Sequence, residues 1–312
     1  MISIVICCYN SGNKLNNVLN GIAELDICNI NATLEVIVVN NNSSDDTDER
    51  ARILLKNLGL NGRVVYEHEP GLIYARIRGV KEAKGELICF VDDDNILDRQ
   101  YIKVATGIFI KYPHVGYLGG QSKLPENYYP VPEWFDKISH SFAVGRQRKN
   151  NGFLDVNEPL LWGAGLIIKK SIFIDIIESG YEFKLKGRCH GVSLAGDDSE
   201  ICYLFAQRRW AGYYTSELKI THVISKDRFN LINVVKMYAG FGASYKILNE
   251  LNLKYHEDLN SSNCVIFQLK LKTTLVYCVL RLFIVFSSFS LNKVERKSKI
   301  AFWIQVFNGV IK

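Results

Sequence analysis

The sequence predicts an α/β fold built on a mostly parallel sheet, and three observations carry that expectation. Short continuous apolar runs, "ISIVICC", "LEVIVV" and "ELICFV", read as strands buried on both faces. The segments between them carry apolar residues at helical spacing. Turn and cap residues mark the junctions, most clearly at Pro70-Gly71. Strands alternating with helices give a parallel sheet with right-handed crossovers.

The elements follow in order. The run from Ile2 to Cys8 is too short for a signal peptide and lacks a basic n-region, so it reads as the first strand. A helix follows, with Leu15, Val18, Leu19 and Ile22 on one stripe and Ser11 or Asn13 as cap. After "LEVIVV", Ser44 to Thr47 supply a cap and an acidic first turn for a helix ending near Gly59. "RVVYEH" is a short third strand. Pro70-Gly71 then precede a helix carrying Ile73, Ile77 and Val80, which Gly85 closes. "ELICFV" is the fourth strand, and "VDDDN" ends it.

Beyond residue 115 the pattern is less regular. "HVGYLGG" reads as a strand and "PENYYPVPEWF" as a proline-rich aromatic loop. "LLWGAGLIIKK" is apolar but broken by small residues, where backbone can approach a ligand. "AGDDSEICYLFAQ" is a helix with an acidic opening turn, and "TSELKITHVI" a final strand. From Ser225 on, charged and apolar residues mix in helical fashion. Two units are expected: a nucleotide-binding α/β domain over 1–225, and a helical, apolar and basic extension over 226–312.

Composition narrows the class. The 312 residues are 48% hydrophobic and 22% charged, which excludes a disordered chain and allows a sizeable core. A net charge of +6 is spread too thinly for a nucleic-acid footprint, and no nucleic-acid motif is present. It suits a phosphorylated ligand or an anionic membrane surface. The eight cysteines form no C-x-x-C pair, so they read as small core residues in a reducing compartment.

In an open α/β sheet, ligands bind at the carboxyl ends of the strands. Cys8-Tyr9-Asn10, Asn40-Asn41-Asn42 and Asp92-Asp93-Asp94 each end a strand, so the fold brings them to one edge. Three adjacent carboxylates repel one another. With Asn95 beside them they are hard oxygen ligands for a divalent cation that also carries phosphates. The same turn is also compatible with an ordinary solvated, helix-capping loop.

Taken together, "SIVICCYNSG", "VIVVNNNSSDDT", "EPGLIYARIRGVKEAKGELICFVDDDN", "GAGLIIKKSIF" and "GDDSEICYLFAQRRWAGYY…THV" resemble, in order, the family 2 inverting glycosyltransferases. The resemblance covers about residues 2 to 225. It implies a GT-A fold that binds a nucleoside-diphosphate sugar with Mg or Mn. An acceptor hydroxyl would then attack the anomeric carbon in a single displacement.

Carried over by position, the resemblance implies that Cys7, Tyr9 and Asn41 contact base and ribose, and that Arg76 lies near the donor. Many relatives have an acidic pair where Asn40-Asn41 stand, so the base contact here is neutral. Ile77 replaces an asparagine of the same motif and takes a core position. Asp92 and Asp94 match the D-x-D motif: Asp94 is implied as metal ligand, Asp92 faces the ribose and Asp93 assists on the donor side. His222 resembles the histidine that completes the metal site in part of the family. In "GDDSE", Asp197 is placed to cap the helix with Glu200 three residues on, which leaves Asp198 facing the ligand edge. The family motif likewise puts the catalytic base at the second acid, Asp198. One base and one metal suffice for inversion.

Trp134, Trp162, Tyr128 and Tyr129 are candidate stacking surfaces for an acceptor sugar, or ordinary core aromatics. "TTLVYCVLRLFIVFSSFSL" approaches the length of a membrane span, but Arg281 sits inside it. Lys270 and Lys272 precede it, which favours an amphipathic helix lying on an anionic membrane. The expectation is therefore a non-processive glycosyltransferase on the inner, cytoplasmic face of a cell membrane. It would act on a lipid-linked glycan acceptor in surface polysaccharide synthesis. A nucleotidyltransferase is disfavoured, because no glycine-rich phosphate loop follows the first strand. A non-catalytic, membrane-associated sugar-nucleotide binder is the competing class. It would keep the Asp92–Asp94 site without needing a base at Asp198.

Overall fold

The computed structural model describes residues 1–28, 33–189 and 192–259. The apolar segment from Lys270 to Leu291 and the basic run after it lie outside these residues.

The N-terminal half alternates as expected. β1 (Ile2–Cys8), α1 (Leu15–Ala23), β2 (Leu34–Asn41), α2 (Thr47–Asn57), β3 (Gly62–Glu67), α3 (Leu72–Glu82) and β4 (Leu87–Asp92) follow in turn. Next come β5 (Asn95–Leu97), α4 (Tyr101–Lys111), β6 (Val115–Lys123), β7 (Gly152–Phe153), β8 (Ile167–Lys169) and α5 (Lys170–Glu178). A small hairpin of β9 (Gly187–Cys189) and β10 (Val192–Leu194) precedes α6 (Asp197–Gln207), β11 (Ala211–His222) and the long α7 (Leu231–Leu259).

One sheet organises the molecule, in the order β3-β2-β1-β4-β8-β6-β11-β5, with β7 pairing β11. β3, β2, β1 and β4 are mutually parallel. β8 runs antiparallel to β4 and β6, while β6 and β11 are again parallel. The carboxyl ends of β1, β2, β4 and β11 therefore share one edge. The sheet is more mixed than the apolar runs alone suggested.

Alternation along the strands explains why these runs are apolar throughout. Ile4 and Ile6, Val36 and Val38, and Cys89 and Val91 face the layer formed by α1, α2 and α4. Val5, Ile37, Val39, Ile88 and Phe90 face the layer of α3, α5 and α6. Both faces are covered, so apolar residues dominate each, and the buried polar pair Ser3 and Glu35 is hydrogen-bonded. α3 lies so close to the sheet that a Cβ at Gly79 would collide with Val5. Cys8, Cys89 and Cys202 are buried free thiols, in keeping with their reading as core residues.

Two smaller clusters attach the rest. Phe135, Phe142, Ile224 and Val234 pack with Trp134, Tyr128 and Phe229 beside the sheet edge. Tyr203 and Ala206 of α6 pack against Leu251 and Tyr255 of α7. The first part of the 226–312 extension is thus seated on the α/β body.

Candidate active site

The strand register assembles the first group. β1 lies between β2 and β4, and Cys7 pairs across the sheet with Val39 on one side and Asp92 on the other. Burial pushes the Cys7 thiol up to about 12, so this side chain is neutral at the floor of the site. Tyr9 sits just past the strand end and is 62% exposed, available to stack on a ligand ring.

Asn41 is placed differently from the expectation that it contacts the base. Its amide donates to the carbonyl oxygens of Glu69 at 2.6 Å and Glu67 at 3.3 Å, and its carbonyl accepts the Gly71 N–H at 2.9 Å. Both ends of the side chain are spent on holding the β3–α3 turn to the end of β2.

The three aspartates divide their work. Asp93 accepts hydrogen bonds from the Ser11 hydroxyl and from Lys14 Nζ at 3.0 Å. It ties the β1–α1 loop to the end of β4, which makes it a loop anchor rather than a free donor ligand. Asp92 is held above the usual carboxylate range by burial, with Arg76 pulling the other way. Asp94 faces His222, with Oδ1 3.4 Å from Nε2, and Arg228 lies 3.9 Å from its other oxygen. Burial raises the Asp94 carboxyl, but His222 outweighs it, and the group falls to about 2.

Backbone pairing creates the Asp94–His222 contact. β5 pairs antiparallel with the end of β11, setting Asn95 opposite His222, and the Val223 N–H donates to the Asp94 carbonyl at 2.8 Å. His222 Nδ1 is buried without a hydrogen-bond partner among the described residues. Among those residues no group of three or more His, Cys, Asp or Glu forms a metal cage. A hard carboxylate beside an imidazole with an orphaned nitrogen fits a different arrangement: a cation held by one or two protein groups and completed by phosphate oxygens.

The second group sits at the start of α6. Arg76, on α3, is 2% exposed and pairs with Asp197 at 2.5 Å. Its charge also acts on Asp92 and Asp198, so one guanidinium serves three carboxylates. Burial holds Asp197 above the ordinary carboxylate range; Arg76 opposes that, and Asp198 adds to it. The expected capping box is absent. Gly196, with φ of 109°, occupies the N-cap, and no side chain caps the helix. Asp197 is drawn inward by Arg76. Glu200 is buried and accepts bonds from the Tyr181 hydroxyl at 2.7 Å and from the N–H groups of Lys184 and Leu185 at 3.0 and 2.8 Å. Arg76 is buried, unlike a solvent-facing helical arginine.

Asp198 emerges at the first turn of α6. Its carboxylate accepts the Gly163 N–H at 2.7 Å and the Ser199 N–H at 2.8 Å. Gly163 is pinched between them: a Cβ there would meet Arg76 Nη2, and Asp198 Cβ at 3.2 Å. The small residues of "WGAG" were legible as a place of close backbone approach. Beside Asp198 opens a cleft of about 200 Å3, lined by Trp162, Ser199, His140, Gln147 and Arg148. Of the candidate stacking aromatics, Trp162 lines this cleft. Tyr128 and Tyr129 stack on each other with centroids 4.0 Å apart, and Trp134 packs on Phe142 and Phe229.

Cys7, Asp92, Asp197 and Asp198 thus surround one buried charge, that of Arg76, and Asp94 and His222 form a further pair. Lys14 and Arg228 were not singled out from sequence, and Ser11 was read only as a helix cap and Gly163 only as one of several small residues. Each is a lone polar or small residue whose partner lies far along the chain.

Residues 3–177 match the family described as Glycosyl transferase family 2, more than half of the chain. The poly(ribitol-phosphate) beta-N-acetylglucosaminyltransferase TarS of Staphylococcus aureus is 29% identical over 112 residues, 36% of this chain and 19% of that protein. The uncharacterized glycosyltransferase YibD of Escherichia coli is 28% identical over 106 residues, 34% of this chain and 29% of that protein. The matched segment therefore spans less than a third of each relative. Among solved structures, the mannosyltransferase PcManGT of Pyrobaculum calidifontis, in complex with GDP-Man and Mn2+, superposes with a TM-score of 0.58 at 14% identity. That match covers 99% of this chain and 86% of that one. TarS 1-349 of S. aureus in complex with UDP-GlcNAc gives a TM-score of 0.52 at 15% identity, over 98% and 90% of the two chains. These likenesses show the shared GT-A fold, and the extent of the family match settles the affiliation: the chain belongs to glycosyl transferase family 2.

Proposed function

We propose that this protein transfers a sugar from a nucleoside-diphosphate sugar to a hydroxyl of a glycan acceptor, with inversion at the anomeric carbon. The observation that carries the proposal is a division of labour at the site. Asp94 and His222, at the ends of β4 and β11, form a metal-competent pair, and Asp198, in the first turn of α6, is a carboxylate oriented by two backbone N–H groups. Inversion needs just such a division: charge stabilisation for the leaving diphosphate and one base for the attacking hydroxyl.

Asp94 and His222 would hold Mg or Mn together with the donor diphosphate, and the ion would neutralise charge developing on the leaving group. Tyr9 would cover the base, and Cys7 and Asp92 would line the ribose side. Asp198 would take the proton from the acceptor as the new bond forms. The Mn2+ and GDP-Man bound by the similar mannosyltransferase support a metal and a nucleotide sugar here. The name of TarS, a poly(ribitol-phosphate) beta-N-acetylglucosaminyltransferase, supports a polymeric acceptor.

A lipid-linked acceptor, reached from the cytoplasmic face of a membrane, belongs to the same proposal. Its support is compositional: the net charge of +6 and the apolar, basic sequence over 265–297. No helix among the described residues is long and apolar enough to cross a membrane.

Donor turnover tests the proposal. Nucleotide sugars incubated with the full-length chain should be bound and slowly hydrolysed in Mn and spared in chelator, and Asp94→Asn should abolish the metal dependence. Unchanged nucleotide-sugar affinity of Asp94→Asn in Mn would remove the metal assignment. Binding without any turnover would leave a sugar-nucleotide binder.

A further inference from the structure

The cleft beside Asp198 has a feature that neither donor binding nor proton transfer uses. Its wall carries a fixed positive charge. Arg148 donates from Nη1 to the Gln147 carbonyl at 2.9 Å and from Nη2 to the Glu158 and Leu160 carbonyls at 3.0 and 2.7 Å. These bonds occupy three of the five N–H groups of a guanidinium and fix its plane. Carbonyl oxygens orient the cation without neutralising it. Among the described residues no carboxylate forms an ion pair with Arg148, nor with Arg146 and Lys149 on the same loop.

The remaining wall suits a sugar ring. Trp162 is half-buried in the cleft, with the His140 ring set edge-on to it at 5.5 Å. Gln147 locks this wall: its Oε1 accepts the Trp162 N–H at 2.6 Å, and its Nε2 donates to the Gly120 carbonyl at 2.7 Å. Ser199, the residue after Asp198, lines the cleft together with Leu160 and Leu161. A volume of about 200 Å3 accommodates one pyranose with a small substituent.

We propose that this cleft is the acceptor subsite and that it selects an acceptor sugar carrying an oxyanion, with Arg148 binding the anion and Trp162 the ring face. The assignment rests on the transferase function proposed above and names its acceptor class. A preorganised guanidinium loses little freedom on binding, so the charge should show directly in affinity.

The test uses the full-length chain and three probes: a methyl glucoside, the matching methyl glucuronide, and the glucoside 6-phosphate. Affinity is measured by ligand-observed NMR titration at low salt, with no donor present. The anionic probes should bind about tenfold tighter or more than the neutral one, as expected for a hydrogen bond to a charged group. Arg148→Gln should erase that preference, and Arg148→Lys should retain part of it. A stronger response to the carboxylate points to a uronic-acid acceptor, and a stronger response to the phosphate to a phosphorylated one. Equal affinities in the wild-type chain would overturn the proposal, whatever the variants do. A preference that survives in Arg148→Gln would also overturn it. If the charge preference holds but no nucleotide sugar is turned over, the acceptor role is overturned and an anion site alone remains. If donors are turned over but charge is ignored, the transferase function stands and the acceptor class falls.

Discussion

Arg76 and Asp197 form an ion pair 2.5 Å long whose two side chains are 2% and 7% exposed, and the residue after Asp197 is Asp198. The pair pins the first turn of α6 to α3 and so sets where Asp198 leaves the helix. Breaking a buried ion pair typically costs about 3–5 kcal/mol, and removing Asp197 leaves the Arg76 charge to Asp92 and Asp198 alone. Asp197→Asn should therefore lower the denaturation midpoint markedly, instead of being the mild change that a capping role would allow. Replacing Arg76 as well should not restore stability, because Asp92 and Asp198 then lose their countercharge. Urea unfolding of both variants checks this. Wild-type stability in Asp197→Asn would mean the pair contributes little.

How far the site was legible follows from where each partner lies in the chain. The strand ends could be read because β1, β2 and β4 are buried on both faces and announce themselves as apolar runs. The opening of α6 was misread for a physical reason. "GDDSE" has the spacing of a capping box, but Asp197 is claimed by Arg76, 121 residues away, and Glu200 by the loop at Tyr181 to Leu185. Long-range partners of full charge outweigh a local cap. Asn41 shows the same effect on a smaller scale, its amide taken up by the turn before α3.

Two helices escaped notice for a different reason. α4 reads "YIKVATGIFIK" and α5 "KSIFIDIIE", both rich in β-branched and aromatic residues that favour strands. Their helical form is fixed by burial: Tyr101, Ile102, Ala105 and Phe109 lie on one face of α4. Tertiary packing overrides the propensity.

Glu35 carries a pH prediction away from the catalytic edge. Its carboxylate accepts bonds from the Ser3 hydroxyl at 2.5 Å, the Lys84 N–H at 2.6 Å and Arg63 at 2.8 Å. Burial raises its pKa, but these donors outweigh burial and hold it below the usual range. A depressed acid stabilises the fold above its unfolded value of about 4.3, and that contribution is lost as pH falls through the lower folded value. Glu35→Gln should cost about 1–3 kcal/mol at neutral pH and flatten the loss of stability on the acid side. Identical acid slopes in chemical denaturation would contradict the assignment.

The membrane contact proposed for 265–297 has a separate test. Tyr255 packs on Tyr203 with centroids 5.8 Å apart, so a truncation must keep α7 whole. The full-length chain should bind vesicles containing anionic lipid, and salt should weaken this without abolishing it. A chain ending after Leu259 should stay in solution. If the full-length chain ignores anionic vesicles, the membrane contact is wrong.

The central claim is that Asp198 accepts the proton of the attacking hydroxyl, and single-turnover transfer by Asp198→Asn tests it most directly. The Gly163 and Ser199 N–H groups aim this carboxylate from the first turn of α6. Losing a general base typically costs about 10²–10⁴-fold in rate. Asp198→Asn should fall by that factor, with nucleotide-sugar affinity in Mn and thermal stability near wild type. Transfer at the wild-type rate by a folded, donor-binding Asp198→Asn protein would contradict it.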